Sequence, residues 1–319
     1  MKMVRFILTS AILLVGLSLF APIGQAQSMR TFVSTDGKNS DPCNSPDKPC
    51  RDISVALSKV QAGGEVVILD SGTYQPLTIN KAVEIVAAPA AHPGMIVTSG
   101  AGITLSAGPT DVVVIQGLRI LSQGGARGIV YNSGRSLHVE RCTISGFTPL
   151  PSDCCTDGIL VNTSSRLVVK DTLLTGNFNG IRIFNSVSAS IEHSRIENNT
   201  NGLWAEETAR VTISDSLVAG NGSGITSFIG SGSSASAPTE INVENCRVTG
   251  NVQGIVSTGK TGDNATIWTL VRVSNTTVAG NGNGLAVGTA GSGRLFSRVN
   301  NTVEGNDIDG AFTDTFTAK

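Results

Sequence analysis

Three residues with acid–base side chains recur at a fixed spacing in the middle of the chain. Asp171, His193 and Asp215 are separated by two steps of 22 residues. If 22 residues make one coil of a solenoid, these side chains lie about 4.8 Å apart along its axis. Carboxylates at such separations can divide the acid and base roles in glycoside cleavage, and a nearby histidine can relay a proton. However, the same column continues as Asn245 and Asn275, and Asp, Asn and His also cap backbone groups at bends. Both interpretations stay open.

A second group of residues suits the binding of a sugar. Phe184, Trp204 and Phe228 fall on three neighbouring repeats of a chain whose aromatic content is only 4%. Arg182 and Glu206 stand beside them. Flat rings stack on sugar faces while polar groups take the hydroxyls, so this outward face is a candidate carbohydrate-binding surface. The alternative is that the insertion after Phe228 folds over the rings and buries them.

A repeat must position both groups. Three contiguous units of 22 residues begin at Gly158, Gly180 and Gly202, each with a Gly-Ile or Gly-Leu pair. The same pair recurs at positions 102, 128, 224, 254 and 284. The outer steps of 26 or 30 residues indicate a fixed core with one variable loop. Such a period, with three short apolar segments and no helical periodicity in each unit, predicts a β-solenoid with three strands per coil.

Two apolar columns and one asparagine column follow the repeat. The predicted inward residues of the second strand are Val169, Ile191, Ile213, Val243 and Val273. Those of the third strand are Leu174, Ile196, Val218, Val248 and Val278. Three residues before each repeat glycine stand Asn177, Asn199, Asn221, Asn251 and Asn281. Asparagine suits tight bends, and stacked asparagines can hydrogen-bond along the axis as a ladder.

With these features the chain resembles the pectin-lyase-like superfamily of right-handed parallel β-helices, over about residues 66 to 306. The resemblance implies an all-β fold, a single-stranded right-handed parallel β-helix, with an asparagine ladder. It also implies a sugar groove on the outer face of the second-strand sheet, formed here by Glu140, Lys170, Glu192, Ser214, Glu244 and Ser274. It does not imply an activity, because this fold hosts lyases, hydrolases, epimerases, adhesins and non-catalytic modules.

The enzyme signatures of that superfamily are incomplete in this sequence. Of the polygalacturonase motifs, only Thr156-Asp157 matches part of one, and the Asp-Pro-His-Asp signature of mannuronan epimerases is missing. A pectate lyase would need a calcium-binding acidic cluster beside a basic residue. Glu140, Asp171 and Glu192 with Lys170 could form a loose version of it. No cofactor is expected, apart from calcium if the protein is a lyase.

The chain opens with a predicted signal peptide at residues 1–26. Lys2 and Arg5 form its positive region, residues 7–20 its apolar region, and Gly24-Gln25-Ala26 its cleavage site. This pattern predicts a secreted or periplasmic protein without a membrane span after cleavage.

Export permits disulfide bonds, and the six cysteines fit that setting. Cys43 and Cys50 bracket a Pro-rich loop and are predicted to pair. Cys142 and Cys246 occupy a small inward column four coils apart, too far to bridge, and are predicted to be buried thiols. Cys154 and Cys155 lie in an insertion, where a vicinal or an intermolecular bridge are both open. No cysteine or histidine spacing indicates a metal site.

The predicted organisation has four parts. After the signal peptide, residues 27–65 form an N-terminal cap with the disulfide and a helix at 51–62, ended by Gly63-Gly64. This helix is expected to plug the open strand edges of the first coil. The β-helix itself covers residues 66–310, and 311–319 form a C-terminal tail.

Composition agrees with one elongated domain and limits its partners. Charged residues make up only 15% of the chain and the net charge is −1, without Lys/Arg clusters, which argues against nucleic acid. The sequence therefore predicts an exported β-helix protein that binds an extracellular or cell-envelope polysaccharide. A polysaccharide lyase or glycoside hydrolase acting on polyuronides, and a structural or adhesive surface protein, are the alternatives.

Overall fold

A computed structural model describes residues 28–149, 155–230, 233, 236–259, 267–288 and 292–317. The predicted signal peptide and Cys154 lie outside these ranges. Within them the chain forms one short helix, α1 (Ile53–Lys59), and three parallel sheets whose strands follow each other in turn around the axis. This is the predicted parallel β-helix.

Each sheet collects the equivalent strand of successive coils. Sheet A has twelve strands: β1 (Ser28–Val33), β2 (Val60–Ile68), β5 (Val83–Ala87), β8 (Val112–Gln116), β11 (Ser136–Glu140), β14 (Arg166–Lys170), β17 (Ser188–Glu192), β20 (Arg210–Ser214), β23 (Thr239–Glu244), β26 (Thr269–Ser274), β29 (Gly293–Ser297) and β31 (Asp314–Thr315). Sheet B has ten strands: β3 (Thr73–Tyr74), β6 (Gly94–Val97), β9 (Arg119–Ser122), β12 (Thr143–Ser145), β15 (Leu173–Thr175), β18 (Arg195–Glu197), β21 (Leu217–Ala219), β24 (Arg247–Thr249), β27 (Thr277–Ala279) and β30 (Thr302–Val303). Sheet C has nine strands: β4 (Leu77–Ile79), β7 (Ala101–Ser106), β10 (Arg127–Ser133), β13 (Asp157–Val161), β16 (Asn179–Ile183), β19 (Asn201–Glu206), β22 (Ser223–Phe228), β25 (Gln253–Thr258) and β28 (Asn283–Val287).

The repeat glycine is explained by the close approach of neighbouring coils. A Cβ atom at Gly180 would lie 2.6 Å from the carbonyl oxygen of Gly202, and one at Gly202 would lie 2.5 Å from that of Gly224. No real side chain tolerates such a contact with backbone. The residue after the glycine, such as Ile181 or Leu203, points into the core and is fully buried. The Gly-Ile pair therefore marks the point where each coil stacks on the next.

The predicted core and ladder are confirmed. All ten predicted inward residues of the two apolar columns are buried. Each ladder asparagine donates its Nδ2 to the Oδ1 of the asparagine on the next coil, at 2.8 to 3.0 Å. The ladder runs one coil further than predicted, to Asn306, which in turn donates to Asp309 at 2.8 Å. The buried ladder thus ends on a carboxylate at the C-terminal end of the solenoid.

The small inward column forms a second ladder. Cys142, Thr172, Ser194 and Cys246 each donate the backbone N–H to the hydroxyl of the residue one coil further on. Cys142 and Cys246 are buried and unbridged, as predicted. Burial raises the pKa of both thiols to about 11. They therefore act as small core residues rather than as reactive thiolates.

The N-terminal region confirms the disulfide and corrects the helix. Cys43 and Cys50 are bridged, with Cα atoms 5.0 Å apart. The helix was predicted over residues 51–62, but it ends at Lys59, and strand β2 begins at Val60, ahead of the predicted strand start at 66. Gly63 and Gly64 belong to this strand. A Cβ at Gly64 would lie 2.6 Å from the Met29 carbonyl oxygen, so this glycine lets β1 approach β2 instead of ending a helix.

Candidate functional site

The five predicted sugar-binding residues lie together on the outer side of sheet C. Arg182 on β16 is the register partner of Trp204 on β19, and Glu206 on β19 is that of Phe228 on β22. Phe184 follows β16 directly. All five stand on three successive coils and point away from the core. We call this set the aromatic face.

Arg182 is fixed by two contacts on the aromatic face. Its Nε lies 3.1 Å from Oε1 of Glu206. Its guanidinium carbon lies 4.3 Å from the centroid of the Phe184 ring. A cation stacked on a ring and paired with a carboxylate is held in one orientation. The polar part of the aromatic face is therefore formed before any ligand arrives.

Two rings form the apolar part of the face. The centroids of Trp204 and Phe228 are 5.5 Å apart, with their planes tilted by 44°. Both side chains, like Phe184, are partly exposed. Ser233, which follows this coil, donates its hydroxyl to the Glu207 carboxylate at 2.6 Å. The rings thus keep accessible surface in the described structure.

Glu206 is the most buried of the five residues, with 9% of its surface exposed. Burial raises the pKa of its carboxyl, while the charge of Arg182 and hydrogen bonds from Arg182 and Trp204 oppose that shift. The carboxylate therefore depends on its two neighbours to stay ionised. Glu206 links the ion pair to the indole and makes the aromatic face one connected unit.

A further acidic residue lies on the same side of sheet C. Asp157 on β13 is fully buried, and its Oδ1 accepts a hydrogen bond from Asn179 at 2.8 Å. Asn179 accepts in turn from Asn201 at 2.9 Å, and Arg127 Nε lies 3.4 Å from the Asp157 Oδ2. Burial raises the pKa of the Asp157 carboxyl to about 6, against the hydrogen bond from Asn179 and the charges of Arg182 and Arg127.

Sequence reasoning missed this polar row, although a signal was present. The residue directly before each repeat glycine is polar in seven consecutive units: Arg127, Asp157, Asn179, Asn201, Ser223, Gln253 and Asn283. Asp157 also belongs to the Thr156-Asp157 pair, which matches part of a polygalacturonase motif. A polar column beside a buried glycine column predicts an outward row of hydrogen-bonding groups.

The three predicted catalytic residues occupy the short turn between sheets A and B. Asp171, His193 and Asp215 are exposed and have φ angles of 50°, 48° and 51°. Arg141, Asn245 and Asn275 in the same column have φ between 48° and 51°. Such left-handed backbone favours Gly, Asn, Asp and His, so the bend accounts for five of these six residues, all except Arg141. Asp215 also accepts from Asn245 at 2.5 Å. A catalytic role for these residues stays a prediction.

The described residues on the outer face of sheet A do not form a calcium site. Glu140, Lys170 and Glu192 are register partners on neighbouring strands, so a lysine separates the two carboxylates. Gln116 donates to Glu140, and Ser190 donates to Glu192. Within the described ranges, no group of three or more His, Cys, Asp or Glu side chains is placed to hold a metal ion. The described residues of this face therefore lack the acidic cluster that a calcium ion would need.

Among the described residues, no helix is long and apolar enough to cross a membrane.

Comparison with known proteins gives one family and several similar folds. Residues 99–267, more than half of the chain, match the family described as right handed beta helix region. A search of curated proteins found no matching sequence. The structure is similar to pectate lyase Pel9A, with a TM-score of 0.50 and 15% identity over 81% of this chain and 80% of that one. It is also similar to a rhamnogalacturonan lyase, with a TM-score of 0.51 and 14% identity over 84% and 72%. XylC in complex with xylose gives a TM-score of 0.56 and 9% identity over 84% and 71%. At these identities the likeness shows the fold alone.

Proposed function

The chain belongs to the right-handed β-helix family, and we propose that it binds a polysaccharide on its aromatic face. The observation that carries this proposal is the arrangement of Phe184, Trp204 and Phe228 on three successive coils, partly exposed. Successive coils are about 4.8 Å apart, which is close to the length of one sugar ring. A glycan lying along the axis would therefore meet one ring after another.

The chemistry of the aromatic face supports a sugar as its ligand. Sugar rings present apolar C–H faces, which stack on aromatic rings, and equatorial hydroxyls, which need hydrogen-bond partners at the edges. Trp204 and Phe228 supply the aromatic surface for stacking. Arg182 and Glu206, already fixed by their ion pair, supply the hydrogen-bond partners for the hydroxyls. Because these groups are pre-organised, little side-chain entropy is lost when a ligand binds.

The structural neighbours support a polysaccharide as the class of ligand. Two of them are named as lyases, of pectate and of rhamnogalacturonan, and a third was solved with xylose. Each of those proteins handles a sugar on a fold of the same kind. Since a fold does not determine a function, the main support for sugar binding is the arrangement of the aromatic face.

We place the protein outside the cytoplasm, in the periplasm or secreted. The N-terminal segment has the charge and hydropathy pattern of a signal peptide, and Cys43 and Cys50 form a disulfide. Disulfides persist in oxidising compartments. An extracellular or cell-envelope polysaccharide is then the ligand within reach. Fractionation of cells expressing the full chain, with detection of the mature N-terminus, tests this location.

Binding of the full mature protein to an oligosaccharide array tests the proposed function. Trp204→Ala and Phe184→Ala should lose binding, whereas Phe296→Ala, a partly exposed ring on sheet A, should retain it. Binding that survives all three substitutions would place the ligand elsewhere. Absence of any bound glycan would favour the structural or adhesive alternative.

A further inference from the structure

The charges of the aromatic face and of the adjoining polar row bear on which glycans fit. Among the described residues on the outer side of sheet C, the cations are Arg127 and Arg182. Arg182 is paired with Glu206 at 3.1 Å, and Arg127 lies 3.4 Å from Asp157. These two cations and two carboxylates balance when all are ionised, and Glu207, directly after β19, adds one further negative charge.

A uronate would have to break one of these pairs to be recognised. Protein sites bind carboxylates through Arg or Lys, and the forked guanidinium is the usual partner. The guanidinium of Arg182 is already held by Glu206 on one side and covers the Phe184 ring on another. If a ligand carboxylate replaced Glu206 as the partner of Arg182, Glu206 would lose its cation. Glu206 is only 9% exposed, so water could not replace that partner well. Leaving a buried charge unpaired is strongly unfavourable.

Like-charge repulsion acts in the same direction. Glu206 lies on the aromatic face itself, and Asp157 is close enough to interact with the charge of Arg182. A chain of uronates along the axis would carry one negative charge for each ring past both carboxylates. Neutral sugars avoid this repulsion and still stack on Trp204 and Phe228.

The neighbouring polar row supplies neutral hydrogen-bonding groups. Asn201 donates to Asn179, and Asn179 donates to Asp157, while the Ser223 hydroxyl lies 3.4 Å from the Gln253 amide oxygen. Asn201, Ser223 and Gln253 are partly exposed. Amides and hydroxyls pair with sugar hydroxyls without a charge on either side.

Resting on the proposed function, we infer that the aromatic face selects neutral glycans and rejects polyuronides. The selection arises because Glu206 occupies the one guanidinium on the face and adds a negative charge beside the rings. This assigns a specificity-determining role to Glu206, whereas Trp204 supplies affinity.

The test compares matched oligosaccharides on the full mature protein. Xylohexaose and cellohexaose are the neutral probes, and hexagalacturonate and hexamannuronate are the acidic ones. Wild type should bind one of the neutral probes at least about tenfold more tightly than either acidic probe. That affinity should change less than about twofold between about 0.05 and 0.5 M NaCl, because no net charge is exchanged. Trp204→Ala should weaken that affinity by about thirtyfold or more.

Glu206→Gln tests the origin of the selection. The substitution leaves the positive charge of Arg182 uncompensated, so the affinity for the acidic hexamers should rise about tenfold. Glu197→Gln is the matched control, since Glu197 pairs with Arg195 on the outer face of sheet B, and should leave both affinities unchanged. Circular dichroism of both variants checks that the β-helix is intact.

The outcomes separate the two proposals. Acidic hexamers that bind wild type more tightly than neutral ones, with Trp204 required, would overturn the neutral specificity and leave the proposed function standing. An unchanged acidic affinity in Glu206→Gln would show that Glu206 does not set the selection. Failure of all four probes to bind, or binding independent of Trp204, would overturn both proposals.

Discussion

Arg182 and Glu206 form an ion pair across two neighbouring coils, with Nε and Oε1 3.1 Å apart. Arg182 is the register partner of Trp204, and Glu206 follows Trp204 by two residues on the same strand. The pair therefore exists only when the solenoid stacks in this register. The polar part of the aromatic face therefore forms only in the folded solenoid. Both side chains lie outside the core, so they can be substituted without changing the core.

The asparagine ladder should contribute measurably to stability. Asn221 donates to the Asn251 side chain and the Ile196 carbonyl, and it accepts from both the backbone and the side chain of Asn199. Asn221→Ala leaves buried partners unsatisfied and should lower the free energy of unfolding by on the order of 2 to 4 kcal/mol. Asn242→Ala, exposed on sheet A, should change it by less than about 0.5 kcal/mol. Urea unfolding followed by circular dichroism measures both. Equal losses at the two sites would contradict the ladder.

The inward and outward assignments predict opposite responses at two adjacent residues. Ile213 is fully buried, and Thr212 beside it is exposed. Ile213→Asp should prevent folding, because it buries an unpaired charge in the core. Thr212→Asp should change stability by less than about 0.5 kcal/mol. Soluble expression and thermal melts report both results. A folded Ile213→Asp protein would mean that this strand is out of register by one residue.

Asp157 predicts a pH dependence of stability with a definite sign. Burial raises the pKa of its carboxyl from 3.8 to about 6, so the native state holds this proton more tightly than the unfolded chain. The protonated carboxyl of Asp157 therefore contributes on the order of 2 to 3 kcal/mol to the free energy of unfolding. This contribution is complete below about pH 4 and is lost as the pH rises through about 6. Calorimetric unfolding of wild type and Asp157→Asn across this range isolates the effect.

Other groups do not reverse that sign. Glu206 shifts in the same direction as Asp157 but is present in both proteins, so it cancels in the comparison. Burial would raise the pKa of Asp70, but hydrogen bonds from Thr35, Tyr74 and Ser34 outweigh it and lower the pKa to about 2. Asp70 therefore titrates below the pH range of about 4 to 6. If stability falls equally with pH in wild type and Asp157→Asn, the carboxyl is not the group responsible.

The turn column can be tested for catalysis and for bending in one experiment. Asp171 has a φ of 50°, which glycine and asparagine accept and a β-branched residue does not. A bend role predicts that Asp171→Gly and Asp171→Asn keep the wild-type melting temperature, while Asp171→Val loses about 1 kcal/mol or more. Each variant is also assayed for unsaturated and reducing-end products from polygalacturonate and alginate. Wild-type cleavage that disappears in Asp171→Asn would instead support the catalytic role.

The sequence predicts the solenoid well because its determinants are local and repeated. From the unit at Gly158 onward, the Gly-Ile or Gly-Leu pair, the two apolar columns and the asparagine column recur in each coil. The pattern of one unit therefore predicts the next. The N-terminal region has no such repetition. There, Gly63 and Gly64 resemble a helix stop, whereas Gly64 is required by the approach of β1, a strand separated from it by a disulfide-bonded loop and the helix.

The candidate site is predicted in part for a related reason. Outward positions follow from the strand period, so Phe184, Trp204 and Phe228 are placed correctly on one face. Pairing between side chains of different coils does not follow from that period. The contact of Arg182 with both Glu206 and Phe184, and the burial of Asp157, depend on side-chain directions that only the folded coils determine.

Trp204→Ala is the sharpest test of whether the exposed rings of the aromatic face bind a glycan. Trp204 is central to the face and its ring lies 5.5 Å from that of Phe228. Isothermal titration with the tightest-binding oligosaccharide and thermal melting are measured on the same wild-type and variant preparations. If the rings bind the glycan, the free energy of binding should fall by about 2 kcal/mol or more, with a nearly unchanged melting temperature. A large fall in melting temperature with unchanged glycan binding would contradict it, and would show that the indole serves packing alone.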